Sequence, residues 1–209
     1  MFQRILVLAP HTDDGELGCG GSINKFIEEN KEVYYVAFSI AEESVPLGFP
    51  KNALETEVKN ATKVLGIPKS NLIIYNFPVR NFQSVRQEIL EKLVKLSKEI
   101  YPDLIFMPSL NDLHQDHQTI AMEGLRAFKR KTVLGYEEPW NNITFNTTSF
   151  IQLEERHIEK KIQALECYET QKQRSYLTPD FIRSLAIARG TQIQESFAES
   201  FEVIRFIIK

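Results

Sequence analysis

Apolar residues fall into two kinds of run along this chain. Short continuous blocks, bounded by Pro, Gly, Asp or Asn, alternate with longer stretches in which apolar positions recur at helical spacing. The first block, residues 4–9 (Arg-Ile-Leu-Val-Leu-Ala), has no polar alternation, so it predicts a strand buried on both faces, as in a parallel sheet. Residues 32–39, 71–75, 102–108 and 132–136 predict further strands, and a last one is expected near 201–208. Between them, helices are predicted at 17–28, 53–65, 84–100, 118–129, 154–170 and 180–189. The second ends on Gly66 and Pro68 in the usual stop order, and the third carries a core stripe of Val85, Ile89, Leu93, Leu96 and Ile100. Thr178 or Asp180 is placed to cap the last helix after a break through residues 176–179. Strands alternating with helices at this spacing predict an α/β fold: a Rossmann-like, mostly parallel sheet with helices on both faces, in a single domain spanning residues 1–209. Residues 40–52 have no sustained period and predict a rim loop at the carboxyl end of the sheet.

Composition narrows the function classes. The 209 residues carry 25 Lys and Arg against 28 Asp and Glu, a net charge of -3 with no basic cluster, which argues against a nucleic-acid partner. The apolar run after Met1-Phe2-Gln3-Arg4 is too short for a signal peptide or a membrane span, so a cytoplasmic protein with no membrane partner is expected. The sequon Asn146-Thr147-Thr148 then carries no meaning. Two cysteines, Cys19 and Cys167, give neither a disulfide framework nor a CxxC spacing. Oligomeric state stays open, a homo-oligomer included.

The chemistry-bearing residues follow the strand blocks. Pro10-His11-Thr12-Asp13-Asp14-Gly15-Glu16-Leu17-Gly18-Cys19-Gly20-Gly21 comes directly after the first strand, where α/β sheets bind ligands. His11 and Asp14 are close enough to share one metal ion if the chain turns, with Asp13 beside it. Nitrogen plus carboxylate oxygen suits zinc, and a catalytic zinc site needs a third protein ligand. The source is His114-Gln115-Asp116-His117, in the loop after the fourth strand; of four histidines, only His157 lies outside these loops, in a charged helical run that suggests a solvated residue. Cys19 is either a fourth ligand or, as its helical setting favours, a buried thiol. Two readings compete with a metal enzyme. A dinucleotide site would need GxGxxG, which Gly18-Cys19-Gly20-Gly21 does not supply, and Asp13 and Asp14 also serve as a helix cap and first-turn acid in many proteins.

PHTDDGELGCGG with the later HQDH resembles the PIG-L/LmbE family of zinc-dependent N-acetyl-sugar deacetylases, whose pattern is (A/P)HxDDxExGxGG followed by HxDH. Residues 164–171 and 189–201 also resemble the family's C-terminal segments, so the likeness covers nearly the whole chain. It implies zinc, or another divalent metal, on His11, Asp14 and His117; Asp13 as general base; His114 as acid or oxyanion stabiliser; and Asp116 as the residue that orients and charges His114. The implied partner is a small N-acetylated amino sugar. The chain departs from the family where many members carry a substrate-binding arginine at the start of the second helix, because the candidate positions here are Leu54 and Glu55. Arg80 is a candidate replacement cation or a surface arginine paired with a local acid, and Trp140 is a candidate sugar platform or a packing residue. A nucleotide-binding oxidoreductase and a non-catalytic metal-binding module remain the alternatives.

Overall fold

The computed structural model describes residues 2–208. Seven strands form one sheet in the order β3-β2-β1-β4-β5-β7-β6, where β1 is Arg4–Ala9, β2 Glu32–Ala37, β3 Leu72–Ile74, β4 Leu104–Pro108, β5 Thr132–Tyr136, β6 Ser149–Leu153 and β7 Phe197–Arg205. The first five run parallel, while β7 is antiparallel to both β5 and β6. The chain order reverses between β1 and β4, and that switch point opens the crevice in which such sheets bind ligands.

Alternation along β1 explains why the sheet is covered on both sides. Ile5, Val7 and Ala9 enter one apolar cluster, and Leu6 and Leu8 enter a second. The helices are α1 (Asp14–Glu28), α2 (Ala53–Leu65), α3 (Arg86–Glu99), α4 (Gln115–Ala127), α5 (Glu155–Leu165) and α6 (Pro179–Thr191). Ile23 of α1, Val58 of α2 and Ala164 of α5 lie in the first cluster, whereas Ile89 and Leu93 of α3 and Ile120 of α4 lie in the second. Each fully buried Leu or Ile of this kind contributes about 1.5–3 kcal/mol. Thr178 caps α6, its hydroxyl accepting the Phe181 N–H at 3.3 Å.

Several boundaries differ from expectation. The helices α1 and α4 begin at Asp14 and Gln115, three residues earlier than their apolar patterns suggest, because polar first turns carry no hydrophobic signal. The helix expected over 154–170 stops at Leu165 and continues into a 3-10 turn at Glu169–Gln171. Strand β6 is half-exposed at the sheet edge and was not anticipated. His157 is not a solvated residue: it is 2% exposed, its Nδ1 accepts the Glu154 N–H at 2.9 Å, and its Nε2 lies 3.1 Å from Glu28. Nor is Cys19 a ligand, since its thiol is buried at a kink in α1 and donates to the Gly15 carbonyl at 3.2 Å. Cys167 is also a free thiol. The glycine at position 18 is required sterically, because a Cβ there would lie 2.4 Å from the Tyr136 ring.

Candidate active site

Between β1 and α1 the chain turns through residues 10–13, and Asp14 closes the turn by accepting the His11 N–H on Oδ2 at 2.7 Å. That bond sets His11 Nδ1 3.2 Å from the same oxygen. The third group comes from α4. His114 caps this helix, its Nδ1 accepting the Asp116 N–H at 3.2 Å, and His117 in the first turn places Nε2 3.3 Å from both Asp14 Oδ2 and His11 Nδ1. The three atoms form a nearly equilateral triangle. A tetrahedral ion with ligands at about 2.0–2.1 Å spaces them about 3.3–3.4 Å apart, so the triangle matches one face of such a site.

The ring tautomers agree with that fit. His11 Nε2 lies 3.1 Å from Asp116 Oδ2, and His117 Nδ1 lies 2.9 Å from Asp112 Oδ2. Each carboxylate is placed to take the proton of the outer nitrogen when the inner nitrogen holds a metal, the usual arrangement behind a metal-binding histidine. Two ring nitrogens and a carboxylate oxygen converging in this way suit a cation, which would displace the protons that the neighbouring acids otherwise hold on the rings. Burial lowers the His11 pKa, but Asp14 and Asp116 outweigh it and raise the group to about 9. Burial likewise opposes the charge on His117, and Asp14 and Glu138 reverse it. Asp14, pushed up by burial, is held well below the usual carboxylate range by His117 and His11. Ligand atoms of His11, His114 and His117, and of Asp14, His117 and Glu138, also gather within 4.8 Å. The closer spacing and the oriented ring nitrogens single out His11, Asp14 and His117 as the set that could hold a divalent metal. Asp112, which the sequence pattern did not flag, orients one of them: Asp112→Ala should weaken metal affinity about 10–100-fold in competition with a chelating dye. Unchanged affinity would remove that role.

Asp13 occupies the N-cap position of α1 and Asp14 its first turn, as the capping alternative expects, but the Asp13 side chain makes no cap hydrogen bond. Burial and the neighbouring Asp14 raise its pKa to about 6. His114 is held down to about 4 by burial, with His117 and His11 adding to the effect. Because Nδ1 accepts a backbone N–H, the proton of this neutral ring is on Nε2. Asp116 does not pair with His114 as expected: its carboxylate binds His11 and accepts the N–H groups of Arg80 at 2.6 Å and Phe82 at 3.2 Å. It thereby ties His11 to the turn after β3, where Arg80 is held at φ +66, a left-handed conformation costly for a side chain of this size.

His11, Asp13, Asp14, His114 and His117 line one cavity of about 240 Å³, and Asp112 and Asp116 lie outside its lining. Its floor is His11, Asp13, Asp14, His114, His117 and Glu138, and its walls include Ala41 and Ser44 of the rim loop, Leu54, Arg80, Trp140, Gln171, Arg174 and Tyr176. Leu54 is buried, so the position where many family members carry arginine presents an apolar surface here. Trp140 serves packing and pocket at once: its ring stacks on Tyr176 at 3.9 Å between centroids and 11° between planes. Glu138 is buried, pushed up by burial and by Asp14, and its Oε1 accepts no hydrogen bond. The segment 171–176 brings Gln171, Arg174 and Tyr176 to the cavity, and sequence reasoning missed all three because a break between helices has no periodicity to read.

The sequence pattern of the PIG-L family, described as GlcNAc-PI de-N-acetylase, matches residues 6–128. The chain belongs to the PIG-L family. The chain is similar to the probable N-acetyl-α-D-glucosaminyl L-malate deacetylase 2 of Bacillus anthracis, 24% identical over 186 residues, covering 81% of this chain and 81% of that one. The diacetylchitobiose deacetylase of Thermococcus kodakarensis is 21% identical, covering 98% of this chain and 83% of that one. The PIG-L fold also hosts other chemistry. The crystal structure of 4-carboxy-2-hydroxymuconate hydratase from Pseudomonas putida superposes with a TM-score of 0.81 at 17% identity, covering 99% of this chain and 98% of that one.

Proposed function

We propose that this PIG-L protein is a zinc-dependent hydrolase that removes acetyl from an N-acetylated amino sugar. Because a hydratase shares the fold, the fold alone carries no reaction. What supports the reading is the donor triangle of His11, Asp14 and His117 with Asp13 beside it in one cavity. Those three side chains would hold a zinc ion, which when bound would supply a Lewis acid able to polarise an amide carbonyl and lower the pKa of a water to about 7. Asp13, a carboxylate near neutrality, takes the proton of the attacking water. His114 donates its Nε2–H to the oxyanion as a neutral ring, a role that needs no imidazolium. Asp116 and Asp112 keep the two ligand rings in the tautomer that faces the metal.

The substituent on the sugar is the finer part of the proposal. Arg80 donates to Ser44 Oγ at 3.0 Å and Arg174 to Gln171 Oε1 at 2.5 Å; among the described residues neither forms a direct ion pair with a carboxylate, although the Arg174 charge acts on Asp13 and lowers its pKa. Guanidinium groups in that state suit a phosphate or carboxylate, which favours an anionic N-acetyl sugar such as a nucleotide-linked one, with Trp140 along the wall. The test is amine release from UDP-N-acetylglucosamine, free N-acetylglucosamine and a simple alkyl glycoside, with and without chelation, in wild type, Arg80→Ala and Arg174→Ala. The expected result is chelator-sensitive release, a preference for the anionic sugar, and a tenfold or greater loss of that preference in the variants. Release that survives chelation contradicts zinc chemistry; zinc binding with no release from any acylated amine supports the non-catalytic module; and NAD binding supports the oxidoreductase.

A further inference from the structure

Directly beneath the metal loop lies a buried polar cluster with no part in the chemistry above. The Thr12 carbonyl accepts the Tyr168 hydroxyl at 2.6 Å and the Tyr35 hydroxyl at 2.9 Å. Both hydroxyls also contact the Glu16 carboxyl group, Tyr168 at 3.0 Å and Tyr35 through a short bond, while the Gly15 N–H donates to the Tyr35 oxygen at 3.1 Å. Tyr35, Tyr168 and Glu16 are all 0% exposed. Such groups are costly to bury unless satisfied, so two hydroxyls converging on one carbonyl, with a carboxyl group bridging them, is an expensive way to fill a core.

The carbonyl they hold belongs to the peptide unit that leads into Asp13. Because that unit is planar, fixing the Thr12 oxygen also fixes the Asp13 nitrogen. The carbonyl on the other side of Asp13 is fixed as well, accepting the Leu17 N–H at 3.0 Å. The Asp13 carboxylate makes no cap bond; the backbone hydrogen bond it has is to its own peptide N–H, the nitrogen that the Thr12 unit fixes. The two tyrosines reach the same atom from different parts of the chain, Tyr35 from β2 and Tyr168 from the segment after α5. This gives the C-terminal stretch 164–171 a physical reason to accompany the N-terminal loop.

We propose that Tyr35, Tyr168 and Glu16 are positioning residues that clamp the Thr12 carbonyl and thereby aim the Asp13 carboxylate. The inference rests on Asp13 acting as the base in the deacetylase reading. It is tested with zinc-loaded wild type, Tyr168→Phe and the double variant Tyr35→Phe/Tyr168→Phe. These changes remove hydroxyls and keep the rings, so the core stays filled. The expected result is unchanged zinc content, KM within about twofold, and kcat reduced about tenfold in the single variant and up to about a hundredfold in the double, the scale that a misplaced catalytic group produces. The acid limb of the kcat pH profile should also move. A purely structural cluster would lower the melting temperature and leave kcat per folded molecule and the pH profile at wild-type values, which would overturn the clamp; loss of zinc together with kcat would also overturn it. A second readout does not depend on turnover: hydrogen exchange at the Leu17 amide, which reports the Asp13 carbonyl, should accelerate in Tyr168→Phe. If the wild type releases no amine, the deacetylase reading fails, and the exchange rate alone decides the clamp, with an unchanged rate refuting it.

Discussion

Asp13→Ala is expected to keep its zinc and to lose turnover by about 10²–10⁴-fold, the usual worth of a positioned general base. His11→Ala, Asp14→Ala and His117→Ala are expected to lose the metal itself. The contrast follows from geometry: the last three supply the mutually adjacent donor atoms at 3.2–3.3 Å, while Asp13 lines the same cavity without belonging to the triangle. The pH dependence has a definite sign. A base works when ionised, and burial beside Asp14 raises Asp13 to about 6, so turnover should be full above that pH and fall as pH drops through it. Metal analysis by mass spectrometry alongside acetate release separates the two classes. Equal metal loss in all four variants would make Asp13 a ligand and leave the reaction without its base.

The second large effect concerns the fold. Glu199→Ala should destabilise the protein by about 3–5 kcal/mol, the cost of leaving one member of a buried ion pair alone. Helix α1 is kinked at Cys19, where φ is -150, and the kink releases the N–H groups of its second half. Glu199 accepts two of them, Gly21 at 3.0 Å and Ser22 at 2.7 Å, together with the Ser22 hydroxyl at 2.6 Å. Lys161 Nζ lies 2.7 Å from the same carboxylate, and both side chains are less than a tenth exposed. Without Glu199, the ammonium keeps only the Leu17 carbonyl, at 2.6 Å, and both backbone donors are orphaned. The urea midpoint, compared at constant m-value, measures this. A loss under about 1 kcal/mol would mean that water reaches the site and replaces the carboxylate.

How much of this was legible in the sequence depended on what kind of signal each element carries. The parallel strands β1, β4 and β5 are buried throughout or nearly so, and a continuous apolar block bounded by turn residues marks such strands plainly. Edge strand β6 is mostly half-exposed, so its alternation merges into the polar loop before it. The crevice was legible because its histidines and acids follow strand blocks, and strand ends in this architecture meet in space. Partner choice was not. Whether Asp116 bonds His114 or His11 depends on how the first turn of α4 faces the loop after β1; the family resemblance pointed to His114, and the carboxylate bonds His11. His157 was misplaced for a related reason: charged neighbours in sequence do not reveal that Glu28 of α1 and the start of α5 enclose it. Arg174 and Tyr176 enter the pocket from a segment between helices that no local pattern marks, whereas Glu138 follows β5 directly and shares the strand-end signal.

The central claim is that one zinc ion on His11, Asp14 and His117 makes this chain an N-deacetylase. Metal-free protein titrated with zinc while acetate release from an N-acetyl amino sugar is followed tests it most directly. Activity should be absent without metal and rise in proportion to bound zinc up to one equivalent. Full activity in the metal-free protein, or one bound equivalent without any acetate release, would contradict it.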